Sequence, residues 1–168
     1  MAKILVSACL LNNPTRFDGR AVTCDHPRLH QWLAEGELIP FCPEISGGMG
    51  VPRLPSEIQG PLGGHGVLIG TSFVRDRNGI DVTSNFLLGA QLALGLARQH
   101  RIRIAILKAK SPSCGSGLIG DGSFNGMLVK EDGVTTALLK SAGISVFNES
   151  QIDEAARLYE AYLDPSSD

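Results

Sequence analysis

Three of the four cysteines stand just behind apolar runs. Cys9 follows Lys3-Ile-Leu-Val-Ser-Ala8, and Cys42 follows Glu37-Leu-Ile-Pro-Phe41. Cys114 lies in a loop of small residues, Lys108-Ala-Lys-Ser-Pro-Ser-Cys-Gly-Ser-Gly117, behind the apolar run 104–107. Short apolar runs bounded by turn residues read as buried strands, and parallel α/β sheets take their ligands just beyond the carboxyl ends of strands. Three thiols at three strand ends would therefore meet on one edge of one sheet. Thiolates gathered there suit a soft centre, either zinc or an iron-sulfur cluster. No Cys-x-x-Cys knuckle supports this locally, so convergence carries the argument. The competing reading is three buried cysteines acting as small hydrophobes, but Cys42 and Cys114 keep the company of proline, glycine, serine and Glu44, which build loops.

Cys24, in Val22-Thr-Cys-Asp-His26, has no strand before it and reads as a free thiol. As a fourth ligand it would close the site, whereas three thiolates leave one metal position open for a substrate. Arg53 is placed to pair with a carboxylate or a substrate oxygen, and Lys108 to offset the negative charge of gathered thiolates. Asp18 before Gly19 reads as a turn acceptor. His26, His30, His65 and His100 lack ligand-like spacing. The glycine-rich runs carry no Gly-x-Gly-x-x-Gly between a first strand and a helix, so a dinucleotide fingerprint is absent. A flavodoxin-like module holding phosphate on Gly47-Gly48 and the loop 111–117 is a further reading.

The elements that must position these residues alternate. Strands are expected at 3–8, 37–41, 104–107 and 144–147. Asp25 is placed to cap a helix with Pro27 in its first turn and Leu29, Trp32 and Leu33 on its apolar stripe. A long structured loop rich in proline and glycine follows over 43–65. A small β excursion is expected from 67–69 and 73–74 around a tight turn at Arg77-Asn-Gly79. A central helix, apolar nearly all round, fills 81–100. A glycine-punctuated loop runs on from Cys114 to Gly126, then a helix begins at Thr135 or Thr136 and stops at Gly143. Glu149 or Ser150 opens a final amphipathic helix. The pattern is that of an α/β fold, a doubly wound, mostly parallel sheet of about four strands in the flavodoxin or Rossmann manner, with a small β excursion.

At 168 residues the chain is expected to be one domain over 1–168, with 165–168 frayed. A net charge of -2 gives no basic face for phosphates, so no nucleic-acid partner is expected. No run reaches the length of a membrane span. Val6-Ser-Ala-Cys9 imitates a lipidation site, but the apolar stretch before it is too short for a signal peptide. Four cysteines in such a chain suit reduced thiols and a cytoplasmic setting.

Many of these residues fall into motifs in one order: Ile4-Leu-Val-Ser-Ala-Cys-Leu-Leu11, Arg16-Phe-Asp-Gly19, Cys42-Pro-Glu44, Gly47-Gly48 with Pro52-Arg53, Asp81-Val-Thr83, Lys108-x-x-Ser-Pro-Ser-Cys-Gly115, Asp121-Gly-Ser-Phe124 and Gly133-Val-Thr135. Over about residues 3–149 the chain resembles the small bacterial 2-thiouracil desulfurases. It departs from them at Asn12, where glycine is usual, and at Gly120, where tyrosine is frequent.

The resemblance implies a 4Fe-4S cluster held by Cys9, Cys42 and Cys114, with one iron not ligated by protein. It implies a hydrolytic, non-redox desulfuration of a thiolated pyrimidine such as 2-thiouracil, giving uracil and hydrogen sulfide. Glu44 and Ser111 are then the expected catalytic residues, the first as general base for water. Gly47, Gly48, Arg53 and Ser113 are the expected substrate contacts. The alternative is a non-catalytic iron-sulfur or zinc protein, a redox sensor or an assembly partner. The oligomeric state is not legible.

Overall fold

The computed structural model describes residues 2–21 and 24–164. The expected fraying at 165–168 lies outside the described residues. In chain order the elements are β1 (Ile4–Ser7), α1 (Pro27–Ala34), β2 (Leu38–Phe41), α2 (Pro43–Ser46), β3 (Ser56–Gln59), α3 (Gly63–Leu68), β4 (Phe73–Asp76), α4 (Thr83–Gln99), β5 (Ile104–Ile106), β6 (Ile119–Gly120), β7 (Leu128–Val129), α5 (Val134–Ser141), β8 (Ser145–Phe147) and α6 (Ile152–Leu163). The four apolar runs are the four strands of one parallel sheet, ordered β2-β1-β5-β8.

Side chains alternate across a strand, which divides the apolar runs between two helix layers. Ile4, Val6, Ile104 and Ile106 pack with Leu29 and Trp32 of α1 and with Ile152, Ala155 and Tyr159 of α6. Leu5 and Ala105 point the other way, onto Ala93, Leu94 and Ala97 of α4 and Leu139 of α5. The result is the doubly wound α/β architecture that the sequence pattern predicts. β1 has β2 on one side and β5 on the other, so the winding reverses there, and the crevice opens at the carboxyl ends of these strands.

The β excursion differs from expectation. Residues 67–69 belong to or border the helix α3, and β4 pairs antiparallel with β3, inside the stretch read as a loop. Gly64 explains the helix: a Cβ there would stand 2.3 Å from the Gly133 carbonyl oxygen, so only glycine lets α3 lie against the start of α5. The turn at Arg77-Asn-Gly79 is present, with Gly79 at φ +86°. A third cluster, Ile58, Val67, Val74, Phe86, Ile119 and Val134, ties the ribbon to α4 and α5.

Three helix starts also move. His26, not Asp25, caps α1: its Nδ1 accepts the Arg28 amide at 3.0 Å, while Asp25 meets His30 at 2.7 Å. α5 begins at Val134, leaving Thr135 and Thr136 fully buried behind its first turn. α6 begins at Ile152, because Glu149 is held elsewhere.

Candidate active site

Cys9 lies in the 3₁₀ turn Ala8–Leu10 that ends β1, and Cys42 is the residue before α2, with Pro43 in the first helical position. Cys114 follows β5 in the loop of small residues. All three line one cavity of about 340 Å³ at the carboxyl edge of the sheet. Cys24 does not line it; it packs beside the core cluster under α1 and α6.

The Cys114 loop is organised by hydroxyls. Ser111 Oγ accepts the Ser113 amide at 3.1 Å and the Cys114 amide at 3.0 Å, which uses both of its lone pairs. Its own proton therefore goes to Ser113 Oγ, 3.0 Å away, and the Ser113 hydroxyl donates to Cys114 Sγ at 3.5 Å. The start of α5 clamps this loop from behind: the amides of Val134 and Thr135 donate to the carbonyls of Pro112 and Ser113 at 2.8 and 2.9 Å. Ser113 is almost fully buried, while Ser111 is half-buried, and both border the cavity.

Burial dominates the thiol electrostatics. It pushes the Cys9 thiol up to about 11, with the Cys42 sulfur adding and Lys108 and Arg16 opposing. Burial pushes Cys114 up to about 12 against the hydrogen bonds from Ser113 and Ser7. Cys24 is also raised, by burial first and then by Glu149. Such thiols keep their protons near neutrality unless a cationic centre replaces them. Three thiols lining one cavity are the donor chemistry of a soft metal centre, the kind that holds an iron-sulfur cluster. Among the described residues no three His, Cys, Asp or Glu side chains close around one metal ion.

Glu44 and Arg53 form one buried unit on the cavity wall. Their side chains are 13% and 7% exposed. Arg53 Nε donates to Glu44 Oε2 at 3.1 Å, and Nη2 makes a second, shorter bond to the same oxygen. Nη2 and Nη1 also donate to the carbonyls of Thr15 and Gly50, both at 3.1 Å. Thr15 O further accepts from Cys42 Sγ at 3.8 Å. Of the two alternatives for Arg53, the structure favours pairing with a carboxylate. Lys108 likewise pairs with Glu149 at 3.1 Å, while Glu149 accepts the Ala109 amide at 2.7 Å.

Gly47 and Gly48 are not brought to the cavity. A Cβ on Gly47 would stand 2.1 Å from the Asn85 carbonyl oxygen, and Asn85 Nδ2 donates to Gly47 O at 2.9 Å. Gly47 thus lets α2 approach α4 closely. Sequence reasoning passed over three groups that do line the cavity: Arg16, whose guanidinium has no hydrogen-bond partner among the described residues, Glu57 on β3, and Met127 with Leu128 on the β6–β7 hairpin. Arg16 opens the motif Arg16-Phe-Asp-Gly19. Burial alternates along Ser56-Glu-Ile-Gln59, but Ile58 is its single apolar residue, so the sequence carries no alternating pattern for β3.

A doubly wound α/β sheet with three thiols, a carboxylate-arginine pair and a hydroxyl chain around its switch-point cavity defines a class of thiol-ligated enzyme. The profile of the 2-thiouracil desulfurase family matches residues 4–151, and the chain belongs to that family. It is 38% identical over 151 residues to the uncharacterized protein YbbK of Bacillus subtilis (strain 168), covering 90% of this chain and 98% of YbbK. The solved structure of TudS, a [4Fe-4S]-dependent thiouracil desulfidase, superposes with a TM-score of 0.87 at 44% identity, over 95% of this chain and 99% of TudS.

Proposed function

We infer that this protein removes sulfur from a thiolated pyrimidine such as 2-thiouracil, using a 4Fe-4S cluster and water and giving the oxo base and hydrogen sulfide. The observation that carries the reading is the meeting of Cys9, Cys42 and Cys114 at one cavity beside Glu44. Cys9, Cys42 and Cys114 would hold the cluster, and Cys24 stands apart. When bound, the cluster supplies one iron without a protein ligand, a soft Lewis acid matched to a thiocarbonyl sulfur.

The remaining work falls to side chains. Arg53 fixes Glu44 through Oε2, which leaves Oε1 without a hydrogen-bond partner among the described residues and able to take a proton from water attacking the ring carbon. Ser113 donates to Cys114 Sγ and offsets charge on that thiolate, while Ser111, held by the Ser113 and Cys114 amides, donates to Ser113 and orients it. Arg16 and Lys108 add positive charge near Cys9. Oxygen and sulfur exchange without change of oxidation state: C=S and water become C=O and hydrogen sulfide. The four unpaired cysteines suit a reducing, cytoplasmic setting. Among the described residues no helix is long and apolar enough to cross a membrane.

The test is iron and acid-labile sulfide per chain in protein purified without oxygen, followed by sulfide release from 2-thiouracil. About four of each per chain is expected for a cubane cluster. Glu44→Ala should keep that iron and stop sulfide release. Full turnover by this variant would remove Glu44 from the mechanism, and a zinc-only protein would remove the cluster.

A further inference from the structure

Two carboxylates line the cavity, and they are treated differently. Glu44 is neutralised by Arg53. Glu57 forms no ion pair with a lysine, arginine or histidine among the described residues; Arg75, its partner across the β3–β4 ribbon, holds its guanidinium over the Phe124 ring, 4.8 Å from the centroid. Its Oε1 accepts the amides of Gly122 at 2.9 Å and Phe124 at 3.2 Å, and its Oε2 has no hydrogen-bond partner among the described residues. Gln59, next on the same face of β3, donates to Gly122 O at 2.9 Å and holds the same loop independently.

Gly120 gives this carboxylate its place. A Cβ at position 120 would stand 2.7 Å from Glu57 Cδ, 2.8 Å from Oε1 and 2.9 Å from Oε2. Any other residue at 120 would displace the carboxylate. Position 120 also lines the cavity, so the space that a side chain would fill is given to a fixed, negatively charged acceptor. A carboxylate oxygen in a half-buried wall, in no ion pair among the described residues, is matched by an N–H donor, and such a bond is short and strong. It repels a carbonyl or thiocarbonyl and has nothing to offer an N-alkyl group.

We propose that Glu57 is a specificity-determining residue whose Oε2 accepts a ring N–H of the substrate, so that the site selects cyclic thioamides carrying a hydrogen on that nitrogen. This deepens the desulfurase reading and rests on it. It assigns Glu57 to binding and leaves the reacting atoms to the groups described above.

Glu57→Gln separates recognition from loop anchoring. The glutamine oxygen can still accept from Gly122 and Phe124, but its amide then turns a donor toward the substrate where the carboxylate offered an acceptor. The assay is anaerobic sulfide release from 2-thiouracil, 1-methyl-2-thiouracil and 3-methyl-2-thiouracil, with iron content measured on each preparation. The wild-type protein is expected to favour one methyl isomer over the other by tenfold or more in kcat/KM. E57Q is expected to keep its iron, to raise KM for 2-thiouracil at least tenfold with a smaller change in kcat, and to lose the preference between isomers. An unchanged KM and ranking in E57Q would make Glu57 a loop anchor only. A wild-type protein that turns over both isomers and the parent alike would overturn the inference without any variant and leave the desulfurase reading standing. Absence of sulfide release from all three by iron-loaded wild-type protein would overturn both.

Discussion

Replacing Arg53 by methionine keeps most of the side-chain volume and removes every donor of the guanidinium. Glu44 Oε2 then loses two charged hydrogen bonds, and the carbonyls of Thr15 and Gly50 lose one each. Both side chains are largely buried, so the orphaned Glu44 charge dominates the cost; removing one partner of a buried pair costs about 3–5 kcal/mol. Thr15 borders the cavity and the bond to Gly50 is exposed, so water can replace both lost donors and the two carbonyls add little to this. For a domain of this size each kcal/mol moves Tm by about 2–4 °C, so Arg53→Met should lower Tm by roughly 6–20 °C. The double variant Glu44→Gln with Arg53→Met removes the orphaned charge and should recover part of the loss, with a coupling of about 1.5 kcal/mol or more. Thermal unfolding of metal-free protein at neutral pH, followed by circular dichroism for the wild type, both singles and the double, gives the full cycle. A drop below 2 °C for Arg53→Met, or additive singles, would refute the claim that this pair is a buried, coupled unit.

Other outcomes follow from the same geometry. Cys9→Ser, Cys42→Ser and Cys114→Ser should each lose cluster iron, while Cys24→Ser, outside the cavity, should retain it; an iron assay on the four variants decides, and loss in Cys24→Ser would mean a closed four-thiol site. Gly133→Ala places a Cβ 2.6 Å from the backbone of Ser113, so it should cost about 1–3 kcal/mol and lower iron loading by shifting the Cys114 loop; equal Tm and full loading would refute the close packing. The thiols give a pH dependence to the metal-free protein. Their folded values, about 11 for Cys9 and about 12 for Cys114, stand above the ordinary 9.0, so their contribution is complete below pH 9 and is lost as pH rises toward 12. For fully buried Cys114 three pH units amount to about 4 kcal/mol. Denaturant midpoints of metal-free wild type should fall above pH 9, and Cys114→Ser should fall less; parallel curves would refute the burial argument.

Much of this was legible because the signals are local. Apolar runs bounded by turn residues located all four strands of the sheet, and the rule that open α/β sheets bind ligands at strand ends placed Cys9, Cys42 and Cys114 together. The motif order from Ile4 to Thr135 carried the family. Helix caps were less secure: Asp25 and His26 are adjacent polar residues, and only the fold brings Asp25 to His30 and leaves the cap to His26.

What the sequence could not state was who stands opposite whom. Glu44 and Arg53 are nine residues apart, yet their pairing depends on the path of the loop between them and on the Thr15 carbonyl from another loop. β3 read as loop because its partner β4 lies beyond a glycine-rich helix whose packing needs the backbone of Gly133. Gly47 and Gly48 read as ligand-facing glycines, whereas the backbone that Gly47 approaches is that of Asn85 in α4. Glu57 and Gly120 are 63 positions apart in sequence, and only the folded hairpin sets the Glu57 carboxylate where a Cβ on Gly120 would stand, 2.7 Å from its Cδ. The residue types that can do chemistry, and the strand ends that carry three of them, were written in local pattern. Which carboxylate is neutralised and which is left to meet a substrate was decided by non-local packing, because charge pairing depends on distance in space and the chain fixes only distance along itself.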